Sequence, residues 1–245
     1  MWLFPHMTKV TCLHSHNFMN IMIGCPVRNR DWILSKYLKC IYKIDYPKEK
    51  IIPCFIVNDS TDNSEKILND FMIEHGHEYK DFIIYIKNLG QVEDKRQYEI
   101  RQKIYHSLAK LRNRLLNCAI DKNVDYLLSA DSDILVSPYI LKNLLADDKD
   151  IVAAQIWNDS GQKYPNIMIE KNGKFVHYFD FPKQSLFKCD VTGAVYLIKK
   201  KVLNSIRYEY HKQGEDVGFC LNARNKGFEI WVDSRIQCRH IMNKI

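Results

Sequence analysis

The sequence predicts an α/β domain with a mainly parallel central sheet flanked by helices, and three observations carry that expectation. Short apolar runs alternate with longer amphipathic ones from Ile21 onward, the rhythm of strand, helix, strand. The chain has 245 residues, 46% of them hydrophobic, which is enough to bury one large core. Three of the apolar runs break off into conspicuous polar residues, and in parallel sheets ligands bind beyond the carboxyl ends of the strands.

The elements follow in order. "IMIGCPV" (21–27) reads as the first strand and Trp32–Tyr42 as the helix after it. "IIPCFIVND" (51–59) is the second strand and Asp62–His75 the second helix, with Asp59 or Ser60 in "NDSTDNS" able to cap that helix. "FIIYIKN" (82–88) is the third strand. The helix expected over Arg96–Asp121 carries Ile104, Leu108, Leu111 and Leu115 at helical spacing, with a basic, solvated outer face. "DYLLSAD" (125–131), a short helix over Pro138–Leu145, then "DIVAAQIW", "AVYLIKK" and "FEIWVD" complete the pattern. The stretch Asn158–Lys188 is irregular and reads either as a functional loop or as a β-hairpin around "KNGK".

Composition narrows the function classes. No stretch approaches the roughly 18 uninterrupted apolar residues of a membrane span, and residues 1–20 lack the basic and apolar regions of a secretion signal. The expectation is a soluble, cytoplasmic chain with an N-terminal extension over 1–20 and one domain over 21–245. Eight scattered cysteines without a C-x-x-C pair read as reduced, mostly buried thiols. The net charge of +7 suits phosphate-bearing partners, but the basic residues are spread and no nucleic-acid motif accompanies them, so no nucleic-acid partner is expected.

In "YLLSADSDILV" a core strand ends in Asp131 and Asp133, one residue apart. Asp and Ser are common turn and helix-start residues, which is one reading. The other is that two carboxylates at i and i+2 of an extended segment point the same way and suit a hard divalent cation that brings phosphate oxygens with it. Pro26 and Arg28 after the first strand and Asn58 and Asp59 after the second would gather on the same sheet edge if the strands are parallel.

Taken in order, "CPVRNRDWILSKYL", "VNDSTDNS", "LRNRLLNCAI", "SADSDI", "VTGAVYLIKKKVL", "GEDVGFCLNARNKGFEIWV" and "CRHI" resemble the nucleotide-sugar glycosyltransferases of the GT-A fold, family 2-like, over Ile21 to His240. The resemblance implies a single GT-A, Rossmann-like domain. It implies that Pro26, Arg28 and Asp59 line the nucleotide pocket, that Arg112 and Asn113 face it, and that Asp131 and Asp133 match the D-x-D motif. Asp133 would ligate a divalent metal, His240 would complete its coordination, and Glu215 and Asp216 match the acidic pair that supplies the acceptor's base. An oxygen-rich ligand set with one imidazole suits Mn2+ or Mg2+. Two departures stand out: "ND" replaces two acidic residues at the second strand's end, and the acceptor end is shorter than in many relatives.

The implied activity is metal-dependent transfer of a sugar from a nucleoside-diphosphate sugar to a hydroxyl acceptor (a glycan, a lipid-linked sugar or a protein), with inversion. The alternatives are a sugar-phosphate nucleotidyltransferase, which would be expected to carry a Gly-rich loop after the first strand where this chain has only Gly24, and a catalytically silent carbohydrate- or nucleotide-binding protein of the same fold. Glu215 and Asp216 also suit the first turn of a helix on electrostatic grounds alone, and His240 also reads as a surface histidine near the chain end. Oligomeric state is not legible.

Overall fold

The computed structural model describes residues 18–90, 98–158 and 163–243. Residues 1–17 of the expected N-terminal extension, Cys12 among them, lie outside that set, as do Arg96 and Gln97 of the third helix and residues 159–162 of the irregular stretch.

Among the described residues, ten strands of four or more residues and six α-helices make the frame, with five two-residue strands in addition. The frame elements are β1 (Ile21–Val27), α1 (Asp31–Tyr42), β2 (Ile51–Asn58), α2 (Ser64–His75), β3 (Ile83–Lys87), α3 (Tyr98–Asp121), β4 (Tyr126–Ala130) and α4 (Ile140–Ala146). Then come β5 (Ile151–Gln155), β6 (Ile167–Lys171), β7 (Lys174–His177), β8 (Leu186–Cys189), β9 (Val195–Lys199), α5 (Lys200–Ser205), α6 (Glu215–Asn225) and β10 (Ile230–Gln237). The eight-stranded central sheet runs β8-β10-β5-β9-β4-β1-β2-β3. Pairings around β1, β2, β3 and β4 are parallel, and so is β5 with β10. The sheet is thus mainly parallel on the side that holds the site. β9 runs antiparallel to both β4 and β5, a reversal that the apolar run "AVYLIKK" does not announce.

β1 and β2 are buried almost throughout because helices cover both faces of the sheet. Alternate residues divide between two cores: Ile21, Ile23 and Cys25 pack toward α1, α2 and α4, while Met22 packs toward α3 and α6. Gly24 sits where α3 presses closest, since a Cβ there would lie 2.6 Å from the Cys54 carbonyl oxygen and 3.1 Å from Leu115. The "KNGK" hairpin forms as one of the two readings has it: β6 and β7 pair antiparallel across Asn172 and Gly173, both at positive φ (51° and 71°). Among the described residues no helix is long and apolar enough to cross a membrane, and the seven described cysteines are free thiols, six of them buried.

Candidate active site

The carboxyl ends of β1, β2 and β4 and the start of α6 enclose a cleft of about 230 Å³ lined by Pro26, Arg28, Asn58, Arg112, Asp131, Asp133, Glu215 and Asp216, among others. A second hollow of about 260 Å³ shares Asp131, Glu215 and Asp216 with it and adds His240, Asn158, His177 and Gln213. The carboxylates therefore form the wall between two recesses.

Arg112 organises that wall. Its guanidinium is buried, and it donates to Glu215 Oε1 at 3.0 Å, Ser129 Oγ at 3.1 Å and Asp131 Oδ1 at 2.8 Å. Asp216 Oδ1 lies 3.8 Å from the same nitrogen that bonds Glu215. Ser129 and Asp131 face α3 together because they are two residues apart at the end of β4, so one planar fork reads both. The resemblance has Arg112 facing the nucleotide; it reaches the cleft, but each of its three nitrogens is engaged by one of these acceptors. Asn113, the next residue, points elsewhere: its amide donates to the Tyr208 carbonyl and accepts from the Tyr208 N–H, both at 2.8 Å. That staples α3 to the segment before α6 and corrects the expectation that Asn113 faces the pocket, since neighbours on a helix project about a hundred degrees apart.

Asp131 and Asp133 line the same cleft but take different partners. β4 ends at Ala130, and a turn closed by the Ile134 N–H on the Asp131 carbonyl at 2.9 Å separates the two carboxylates. The i, i+2 rule holds only while the backbone stays extended, and here it bends at Ser132. Asp133 meets Arg30 at 3.1 Å and His240 Nε2 at 3.5 Å. Burial pushes its carboxyl up, but His240 and Arg30 outweigh burial and hold it below the usual range.

His240 is held rather than frayed. The short strand Arg239–His240 pairs antiparallel with Ile134–Leu135, and the Ile241 N–H donates to the Asp133 carbonyl at 2.9 Å. Its Nδ1 lies 3.1 Å from Asn158 Oδ1. An amide oxygen only accepts, so Nδ1 is the donor there, which leaves Nε2 as the nitrogen that faces Asp133. An oxygen and an imidazole nitrogen 3.5 Å apart fit a hard divalent cation bonded to both at about 2.0–2.2 Å. Among the described residues no cluster of three His, Cys, Asp or Glu side chains is arranged to hold a metal without outside ligands.

Asp216 sits in the first turn of α6, beyond Gly214, whose φ of 131° few other residues adopt. Tyr196 on β9 donates to its Oδ1 at 3.0 Å, and Tyr196 in turn bonds Tyr208. Burial pushes the Asp216 carboxyl up to about 7; Arg112 and the Tyr196 hydroxyl oppose that, while Glu215 and Asp131 add to it. The carboxylate needs Gly193 beneath it, since a Cβ there would lie 2.3 Å from Asp216 Oδ2. Glu215, at 5% exposure, is committed to Arg112.

At the second strand the roles of "ND" are exchanged. Asp59, at positive φ (48°), accepts the N–H groups of Leu89 and Gly90 at 3.0 and 3.2 Å and so fixes the chain leaving β3. Asn58 is the one that lines the cleft, 1% exposed and with both amide atoms lacking a protein partner. Neither Asp59 nor Ser60 caps α2; Asp62 accepts the first N–H of α1 at 2.9 Å and that of α2 at 3.0 Å. The residues that sequence reasoning missed are Arg30, Tyr196 and Gly193, while Asn58 was placed on the right sheet edge but given no role of its own. All four lie inside quoted motifs, so the signal was present but read onto their neighbours.

Comparison with known proteins supplies three findings. The chain matches the Anp1 family model over residues 7–175. It is 25% identical over 237 residues to procollagen-lysine,2-oxoglutarate 5-dioxygenase 1 of Gallus gallus, a match covering 91% of this chain and 30% of that protein, so the chain spans about a third of the length of the curated relatives it matches. Among solved structures, S. aureus TarS 1-349 in complex with UDP-GlcNAc superposes with a TM-score of 0.62 at 16% identity, covering 92% of this chain and 59% of that one. The mannosyltransferase PcManGT of Pyrobaculum calidifontis, solved with GDP-Man and Mn2+, gives 0.59 at 13% identity, covering 92% and 58%. The likeness to the solved structures is one of fold, and it bears out the GT-A architecture expected from the sequence.

Proposed function

This chain belongs to the Anp1 family, and from that premise we propose that it is a metal-dependent glycosyltransferase, moving a sugar from a nucleoside-diphosphate sugar to a hydroxyl acceptor with inversion. The observation that carries the reading is that Asp133 and Asp216 line one cleft while His240, 3.5 Å from Asp133, lines the adjoining recess that Asp216 also borders, so a candidate cation pair and a candidate base meet at one carboxylate wall.

In this reading Pro26, Arg28 and Asn58 hold the nucleoside, and Asp59 shapes that pocket through Leu89 and Gly90. Asp133 and His240 would hold Mn2+ or Mg2+. A cation there stabilises negative charge on the departing diphosphate. Asp131, fixed by Arg112, borders the donor sugar without touching the metal. Asp216 takes the proton of the acceptor hydroxyl, and its raised carboxyl suits it to do so near neutral pH. Attack from the face opposite the leaving group inverts the anomeric centre. TarS was solved with UDP-GlcNAc and PcManGT with GDP-Man and Mn2+, which supports a nucleoside-diphosphate sugar donor and a divalent cation. The buried free thiols fit the reducing compartment suggested by the sequence.

A donor-hydrolysis screen tests the reading: purified protein with UDP-, GDP- and ADP-sugars, with and without Mn2+. At least one donor should release nucleoside diphosphate only when the cation is present. Hydrolysis of none, or hydrolysis indifferent to chelation, would sink it.

A further inference from the structure

The second recess, lined by Asp216, His240 and His177, leads outward onto a group of aromatic rings that the chemistry above does not use. His177, at the end of β7, lines the recess. Its ring centroid stands 5.2 Å from that of Tyr164 and 6.3 Å from that of Phe179, and Tyr164 and Phe179 are 6.4 Å apart. Tyr164 is 45% and Phe179 49% exposed. These rings are not placed at random on the surface. His177 Nδ1 is 2.9 Å from the Pro165 carbonyl, Tyr164 pairs with Asn158, and Asn158 meets His240, so the aromatic edge is built onto the frame of the site.

Charge says what such an edge is suited to hold. Among the described residues lining this recess there is no Lys or Arg, whereas Asp131, Glu215 and Asp216 all border it. An anionic acceptor would meet three carboxylates whose charge a single buried Arg112 offsets only in part, and no Lys or Arg that lines the recess. A neutral, polyhydroxylated molecule would meet hydrogen-bonding groups such as Asn158, Thr192 and Gln213 within the recess, and flat apolar ring faces just outside it. A sugar ring has that two-sided character, with hydroxyls around its rim and C–H groups on its faces that pack on aromatic rings.

We propose that Tyr164, Phe179 and His177 form an acceptor subsite for a neutral saccharide, so that the hydroxyl acceptor of this enzyme is a sugar chain rather than a protein side chain. This rests on the glycosyltransferase reading, with Asp216 as the group the acceptor hydroxyl approaches. The terminal sugar occupies the recess and the next one stacks on Tyr164 and Phe179.

The test uses the full chain with an active donor and Mn2+, with methyl glycosides and disaccharides of mannose, galactose and glucose as acceptor probes, and a serine- and hydroxylysine-containing peptide as the competing class. Transfer to at least one saccharide is expected, with saturation-transfer NMR showing contact from aromatic protons to its C–H protons. The double variant Tyr164→Ala, Phe179→Ala should raise the saccharide KM roughly tenfold, the scale of two lost ring contacts, with donor hydrolysis in water and the melting temperature unchanged. Tyr164→Phe should keep the wild-type KM, since the ring face rather than the hydroxyl carries the contact. If donor hydrolysis proceeds but no saccharide accepts, or the peptide accepts and the saccharides do not, or the double variant keeps the wild-type saccharide KM, the subsite is refuted while the donor reading stands. Absence of donor hydrolysis in the wild type would instead count against the activity itself.

Discussion

Replacing Arg112 by methionine, which keeps most of its volume and removes its charge, puts the central claim about the carboxylate wall at risk. The guanidinium is 4% exposed and Glu215 6% exposed at the side chain, so water can do little to replace the lost bond. Asp131, at 31%, is partly solvated and will lose less. Removing one partner from a buried ion pair costs about 3–5 kcal/mol. For a domain of this size each kcal/mol lowers the melting temperature by about 2–4 °C, so Arg112→Met should melt about 6–20 °C below wild type. The sign of the pH dependence follows from Asp216. Its carboxyl is already raised to about 7, with Arg112 opposing the rise. A group raised in the folded state adds stability at low pH that is lost as pH rises through its folded value. Losing Arg112 raises it further, so the gap between the two proteins should widen as pH rises above about 7. Differential scanning calorimetry at several pH values reads both quantities. A variant melting within about 2 °C of wild type at every pH would mean that the wall is held by packing and that Arg112 is incidental to it.

Asp216→Asn should cut turnover roughly a hundredfold or more and leave nucleotide affinity nearly unchanged; in the wild type kcat/KM should rise with pH through about 7, as the raised carboxyl ionises, and that limb should vanish in the variant's residual activity. Gly193→Ala leaves the charges in place but drives a methyl carbon into Asp216 Oδ2, so turnover should fall toward a hundredfold with the fold intact by circular dichroism; full turnover would show that Asp216 has room the structure denies it. His240→Ala should weaken Mn2+-dependent nucleotide binding by about 10–100-fold in calorimetry, while metal-free binding stays the same or tightens. Equal losses with and without Mn2+ would reassign His240 to the nucleotide.

The strands were legible because they are apolar on both faces and bounded by polar breaks, and "IMIGCPV" coincides with β1 residue for residue. The direction of β9 was not, since an apolar run carries no mark of its orientation and only its pairing with β4 and β5 reveals it. Motif positions were readable to within one residue, which in a site is the difference that matters. Asp59 and Asn58 exchange roles because a residue at positive φ ends the strand's alternation, and Asn113 leaves the pocket because it is one helical step from Arg112. In the D-S-D segment the two carboxylates line one cleft yet take different partners, because spacing in sequence translates into direction only where the backbone is regular. Arg112 could be read as a pocket residue, but its role as the joint partner of residues before and after it could not, because pairs so distant in sequence leave no local pattern.

That distance has a consequence for how the protein comes into being. Arg112 and Glu215 are 103 residues apart in sequence, and Asp133 waits for a short strand that closes over Ile134–Leu135 from the far side of β10. The parallel pairings of β1, β2 and β4 join segments within residues 21–130, whereas the wall and the Asp133–His240 contact close far longer loops. The sheet edge can therefore form before the carboxylates that line it are fixed, and the arrangement of the wall reports that segments from both halves of the domain have docked.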